Sequence, residues 1–159
     1  MKFNIALRNY LLVLFAALAL SACSTAKKAG PKTVDDVYTG TETIEYLAKG
    51  VPDRVFFATN KSSLTTAARD TLRKQATYLR KNKNITITIE GHADERGTRE
   101  YNLALGERRA NAARDYLMTY GVSGKRMSVI SYGKERPVNP TSSPLAYSQN
   151  RRSVSVKAK

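Results

Sequence analysis

The chain has 159 residues with one cysteine, one histidine and no tryptophan, and 27 Lys and Arg against 13 Asp and Glu give it a formal charge of +14. That length holds one domain with a sizeable core plus a tail. A single cysteine excludes an intramolecular disulfide, and one His with one Cys argues against a zinc site built from those ligands. The surplus charge favours an anionic partner, but Lys and Arg recur in every segment and much of it reads as solvated surface.

The chain opens with two cations, Lys2 and Arg8, then an apolar run from Tyr10 to Leu20. It is shorter than the roughly 20 residues a membrane span needs, and it ends in small residues, as a secretory signal does. The stretch Leu20-Ser21-Ala22-Cys23 resembles the lipobox of bacterial lipoproteins. That resemblance implies removal of residues 1–22, a diacylglyceryl thioether on the sulfur of Cys23 and an acyl chain on its new amine. Loss of Lys2 and Arg8 would lower the formal charge to +12. Ser24 then resembles the second residue of lipoproteins sent to the outer membrane, and a periplasm-facing anchor there is the expected location. Such an exported chain meets no nucleic acid.

Residues 23–52 are poor in apolar side chains and read as a tether, within which Thr43 to Ala48 could form a helical turn. The domain is expected over residues 53–159. Arg54 to Ala58 reads as a strand. Ser62-Ser63 or Thr65 can cap a helix carrying Ala68, Leu72, Ala76 and Leu79 at helical spacing. Ile85 to His92 alternates and predicts a strand with three isoleucines on one face. Thr98 or Asn102 opens a long helix ended by Gly121. Met127 to Tyr132 is a strand, Ala146 to Asn150 a short helical turn, and Arg152 to Lys157 a last strand. The order predicts an α+β fold, β-α-β-α-β-(loop or short α)-β, with two main helices packed on one face of the sheet.

The long helix carries a contradiction. Projected at about 100° per residue from Leu105, the apolar arc through Ala112, Ala113, Tyr116 and Tyr120 also contains Arg109 and Asn102. A guanidinium turned toward a core needs a carboxylate, carbonyls or a ligand, because stranding it costs about 3–5 kcal/mol. Asp94 lies just past the isoleucine strand, where sheets of this kind place ligands. Two readings stay open: a structural salt bridge between Asp94 and Arg109, or a shared pocket. In a pocket, the carboxylate would accept from an ammonium and the guanidinium would grip a carboxylate through two bonds, matching the free end of an amino acid. Diaminopimelate in un-cross-linked cell wall displays such an end. Asn102 would either supply an amide to that pocket or brace the preceding loop.

Further residues carry a resemblance across Arg54 to Val156. They are Gly91-His92-Ala93-Asp94-Glu95-Arg96-Gly97-Thr98, Tyr101-Asn102, Leu105-Gly106-Glu107-Arg108-Arg109-Ala110, Ser131-Tyr132-Gly133-Lys134-Glu135 and Asn150-Arg151-Arg152. Together they resemble the C-terminal domain of outer-membrane protein A and its relatives. The resemblance implies a non-catalytic domain, without cofactor or metal, that binds the diaminopimelate of peptidoglycan through Asp94 and Arg109. Leu105, Asn102 and backbone groups of Ala58 and Thr59 complete the expected site. The family usually has Phe-Asp after the first strand; this chain has Phe57-Ala58, so a side-chain carboxylate is missing there. The resemblance also implies a role in envelope integrity and cell division through a second partner, the periplasmic propeller of the Tol system (TolB), with Glu95 and Arg96 as expected shared contacts. Rival readings are a wall-processing enzyme using His92, Asp94 and Glu95, for which no nucleophile-elbow motif is present, and a salt-dependent binder of anionic polymer.

Overall fold

A computed structural model describes residues 36–41 and 43–158. The signal segment and Cys23 lie outside the described residues. Strands β1 (Tyr46–Ala48) and β2 (Val51–Pro52) form a small antiparallel hairpin. The remaining order is β3 (Arg54–Phe56), α1 (Thr66–Lys81), β4 (Ile87–His92), α2 (Arg99–Thr119), a 3-10 turn (Gly124–Arg126), β5 (Met127–Gly133), α3 (Pro144–Asn150) and β6 (Arg152–Lys157). The main sheet runs β3-β6-β4-β5, with β4 and β5 parallel and β6 antiparallel to both of its neighbours. This is the expected α+β order.

Local chemistry accounts for the elements. Thr65 caps α1 by accepting from the Ala68 N–H, and Thr98 caps α2 by accepting from the Tyr101 N–H. Gly121, at φ +80°, turns the chain after α2, a conformation that glycine adopts without the cost of a Cβ. Ala68, Leu72, Ala76 and Leu79 of α1 bury their stripe against Ile87 and Ile89 of β4 and Ala110, Ala113 and Leu117 of α2. The core face of α2 is rotated from the sequence projection. Asn102, Leu105, Gly106, Arg109, Ala110, Ala113 and Leu117 are buried, whereas Tyr120 is exposed. Gly106 sets that rotation. It lies so close to Gly91 of β4 that a Cβ on Gly91 would stand 1.9 Å from the Gly106 carbonyl oxygen.

The segment read as tether contributes to the folded unit. Tyr46–Ala48 is a strand, not a helical turn. Leu47 joins the main core, and Gln75 of α1 donates to the Pro52 carbonyl at 2.8 Å. Val37 and Tyr38 are buried against Phe56, with the Tyr38 and Phe56 rings edge to face at 4.8 Å. Burying these apolar side chains outweighs the extended conformations their low-complexity surroundings suggest.

Candidate functional site

Strand directions gather the site. β3 and β4 both run antiparallel to β6, so their C-terminal ends meet the start of β6 at one end of the sheet. There the loop after β3 (residues 57–61), the loop after β4 (residues 93–98) and Arg151 converge.

Arg109 is the floor. It is 0% exposed. Its Nε donates to the Lys61 carbonyl at 2.9 Å, Nη1 to the His92 carbonyl at 2.8 Å and Nη2 to the Ala58 carbonyl at 3.1 Å, and its guanidinium lies 5.3 Å from the Phe57 ring centre. Three of its five N–H groups are thereby used, which leaves one on each Nη. Burial, and then the charge of Arg151, push its pKa down to about 10, with Asp94 partly offsetting them, so it stays cationic at neutral pH.

Asp94 is held by different partners. Its Oδ1 accepts from the Arg96 backbone N–H at 3.1 Å and Nε at 3.0 Å, and its Oδ2 from Arg96 Nη2 at 2.7 Å and Arg151 Nη1 at 3.3 Å. Burial pushes the Asp94 carboxyl up, but the hydrogen bonds from Arg96 and Arg151 outweigh it and hold it below the usual range. The direct Asp94–Arg109 bridge considered from sequence therefore does not form. The acid pairs within its own loop and with Arg151, while the guanidinium is spent on carbonyls 17 to 51 residues away in sequence.

The other expected residues are Asn102, Leu105, Ala58 and Thr59. Asn102 is buried, and its Nδ2 donates to the Arg96 carbonyl at 2.8 Å, so it braces the loop. Leu105 is buried on the same face of α2. Ala58 presents its carbonyl to Arg109, and Thr59 is part-exposed at the rim, with its hydroxyl 3.3 Å from Arg96 Nη2.

Two site residues were not legible as such. Arg151 is 1% exposed at its side chain and donates to the Phe57 carbonyl at 3.0 Å, to Asp94 and to Asp36, whose Oδ1 is 2.8 Å from Nη2. It sits in the quoted Asn150-Arg151-Arg152 run, just before the last strand, and no sequence signal assigned it a role. Asp36, from the presumed tether, also accepts from the Thr59 N–H at 3.1 Å and from the Thr59 hydroxyl. Burial pushes its carboxyl up, but Thr59 and Arg151 more than offset this and hold it low. No sequence signal marked it. Glu95 and Arg96 are exposed at the rim, where the Tyr147 hydroxyl donates to Glu95 Oε1 at 2.9 Å and the Arg96 guanidinium lies 4.7 Å from the Tyr147 ring centre.

His92 faces the opposite side of the sheet. Its ring is 2% exposed, with Nε2 3.5 Å from Glu90 Oε2. Burial, then the charges of Arg152, Arg136 and Arg54, push its pKa down to about 3. A buried ring that refuses a proton until about pH 3 is a poor general base near neutrality. Between pH 6.5 and about 3 the unfolded chain takes up a proton that folded His92 refuses, so stability falls as pH falls, on the order of 1.4 kcal/mol per unit. His92→Gln should flatten that slope in urea titrations across this window. Equal slopes in both proteins would mean that the ring charges inside the fold. Among the described residues, no group of three His, Cys, Asp or Glu is placed to hold a metal ion.

A family model described as the OmpA family matches residues 56–151. A protein of Rhizobium meliloti (strain 1021) named peptidoglycan-associated lipoprotein is 47% identical over 158 residues, covering 96% of this chain and 89% of the relative. A protein of the same name from Brucella melitensis is 46% identical, covering 91% of this chain and 89% of its own length. The crystal structure of the peptidoglycan-associated lipoprotein from Burkholderia pseudomallei superposes with a TM-score of 0.65 at 39% identity, over 67% of this chain and 90% of that one. The C-terminal domain of Helicobacter pylori MotB has a TM-score of 0.63 at 22% identity over 67% of this chain and 84% of that one, a likeness of fold alone.

Proposed function

This chain belongs to the OmpA family, and from that premise we propose that it binds peptidoglycan non-covalently through the free end of a diaminopimelate residue, tying the outer membrane to the cell wall. It is a binding domain, not an enzyme. The observation that carries this reading is the charged cluster at one sheet end, where, among the described residues, Arg96, Arg109 and Arg151 are offset by Asp94 and Asp36. One positive charge is left over, and Arg109 keeps two N–H groups for a ligand carboxylate. The ligand ammonium would then lie toward Asp94.

The anchor is lipid on Cys23, supported by the Leu20-Ser21-Ala22-Cys23 motif and by close relatives named lipoproteins. Among the described residues no helix is long and apolar enough to cross a membrane. Several acyl chains, each contributing about 0.8 kcal/mol per buried methylene, would make release slow. Ser24 supports the inner leaflet of the outer membrane. The periplasmic propeller of the Tol system is the proposed second partner, meeting the exposed Glu95 and Arg96 beside the same site.

The test is calorimetric titration of the full chain in detergent with meso-diaminopimelate, beside pull-down on purified wall. Saturable one-to-one binding that competes with the wall is expected. Retention that free diaminopimelate leaves intact and that collapses steeply with salt would instead mark an anionic-polymer binder. Release of sugar or peptide fragments would mark an enzyme.

A further inference from the structure

We infer that Asp36 is a resident competitor for the ligand's carboxylate, a displaceable internal occupant that sets the affinity of the site. The inference rests on the diaminopimelate reading above and adds a residue to it.

One cluster of donors at this end of the sheet, Arg151 Nη2 with the N–H and hydroxyl of Thr59, is already taken by this one acid. Asp36 Oδ1 is 2.8 Å from Arg151 Nη2, and Oδ2 accepts from the Thr59 N–H at 3.1 Å and from the Thr59 hydroxyl. A guanidinium, a backbone N–H and a hydroxyl converging on one carboxylate form a carboxylate site in their own right. Of the other two guanidiniums, Arg109 is 0% exposed and Arg96 is paired with Asp94. An incoming carboxylate that takes the Arg151 and Thr59 donors does so by replacing Asp36.

The structure is built to let Asp36 go. Its side chain is half exposed, at 50%, so water receives the displaced carboxylate. Its backbone lies at φ +64°, a left-handed conformation that Asp tolerates but that is relieved if the residue relaxes. Val37 and Tyr38 stay fastened on Phe56, so the segment need not detach when the acid leaves. Arg151 is not stranded by its departure, because it keeps Asp94 and the Phe57 carbonyl. Binding thus carries the cost of emptying the site, and the apparent dissociation constant is the intrinsic one divided by the fraction of molecules in which Asp36 has left the site.

Full-length Asp36→Ala and Asp36→Asn proteins in detergent, titrated with meso-diaminopimelate, should bind at least about fivefold more tightly than the parent. The diamide of diaminopimelate has ammonium groups but no carboxylate, and should show no such gain. Thermal melts confirm that each variant is folded, and the isosteric Asn variant serves if the Ala variant is not. Weaker or unchanged binding of diaminopimelate by a folded variant overturns the inference while leaving the ligand reading intact, and would make Asp36 an acceptor for the ligand ammonium. Failure of the parent and both variants to bind overturns the ligand reading and this inference with it.

Discussion

Replacing Arg109 with alanine should lower the folding free energy by about 3–5 kcal/mol and abolish retention on cell wall. The guanidinium is a strut. It joins the carbonyls of Ala58 and Lys61 in one loop to that of His92 at the end of β4, and it rests on the Phe57 ring. Truncation takes a donor from three carbonyls, of which that of Ala58 keeps the Lys61 N–H at 3.2 Å; each carbonyl left unpaired costs about 1–3 kcal/mol before relaxation, and a cavity opens. A fall in melting temperature of roughly 10–20 °C is expected. Arg109→Lys keeps the charge but presents a compact ammonium where a planar fork spans three acceptors, so it should recover part of the stability and little of the binding. Measuring wall retention well below the variant's melting point separates the two roles. A melting temperature within about 2 °C of the parent would show that the carbonyl bonds contribute nothing net.

Asp94→Ala should cost about 3 kcal/mol and reduce diaminopimelate affinity by about a hundredfold or more. The carboxylate neutralises Arg151, which is 1% exposed, and closes the 93–98 loop through both the backbone and the side chain of Arg96. Without it Arg151 keeps, among the described residues, only the half-exposed Asp36 as counter-charge. Acid should reproduce part of the effect. The folded Asp94 carboxyl lies below its usual value of 3.8, held there against burial by Arg96 and Arg151. Its stabilisation is therefore complete above the ordinary carboxylate range and is lost as pH falls through the lower folded value. The stability difference between parent and variant should be constant from pH 7 to about 5 and shrink below about pH 4, as read from urea midpoints. A difference that persists unchanged at pH 2 would assign the loss to packing, not charge.

The elements themselves were readable because their signals are local. The alternating Ile87 and Ile89, the spacing of Leu72 and Leu79, and the caps at Thr65 and Thr98 depend on neighbours within a turn or a strand. The projection of α2 placed Arg109 and Asn102 on the inward side yet misjudged the centre of that face. It weighed Tyr116 and Tyr120 by their apolar rings and gave Gly106 no weight, although close approach to Gly91 is what orients the helix. The tether reading stopped short for a similar reason. Val37, Tyr38 and Leu47 are few among polar neighbours, and only the surfaces they meet, Phe56 and the main core, make them buried.

By itself, then, the amino-acid order determined the run of strands and helices, the inward cation on the long helix, the acid after β4 and, through matched motifs, the family. Only the tertiary structure decided who pairs with whom: Arg109 with carbonyls, Asp94 with Arg96 and Arg151, Asp36 with Thr59. Periodicity is a property of a few consecutive residues. A hydrogen bond across 48, 51 or 57 positions depends instead on strand order and on the helix-to-sheet distance, which the whole core sets together.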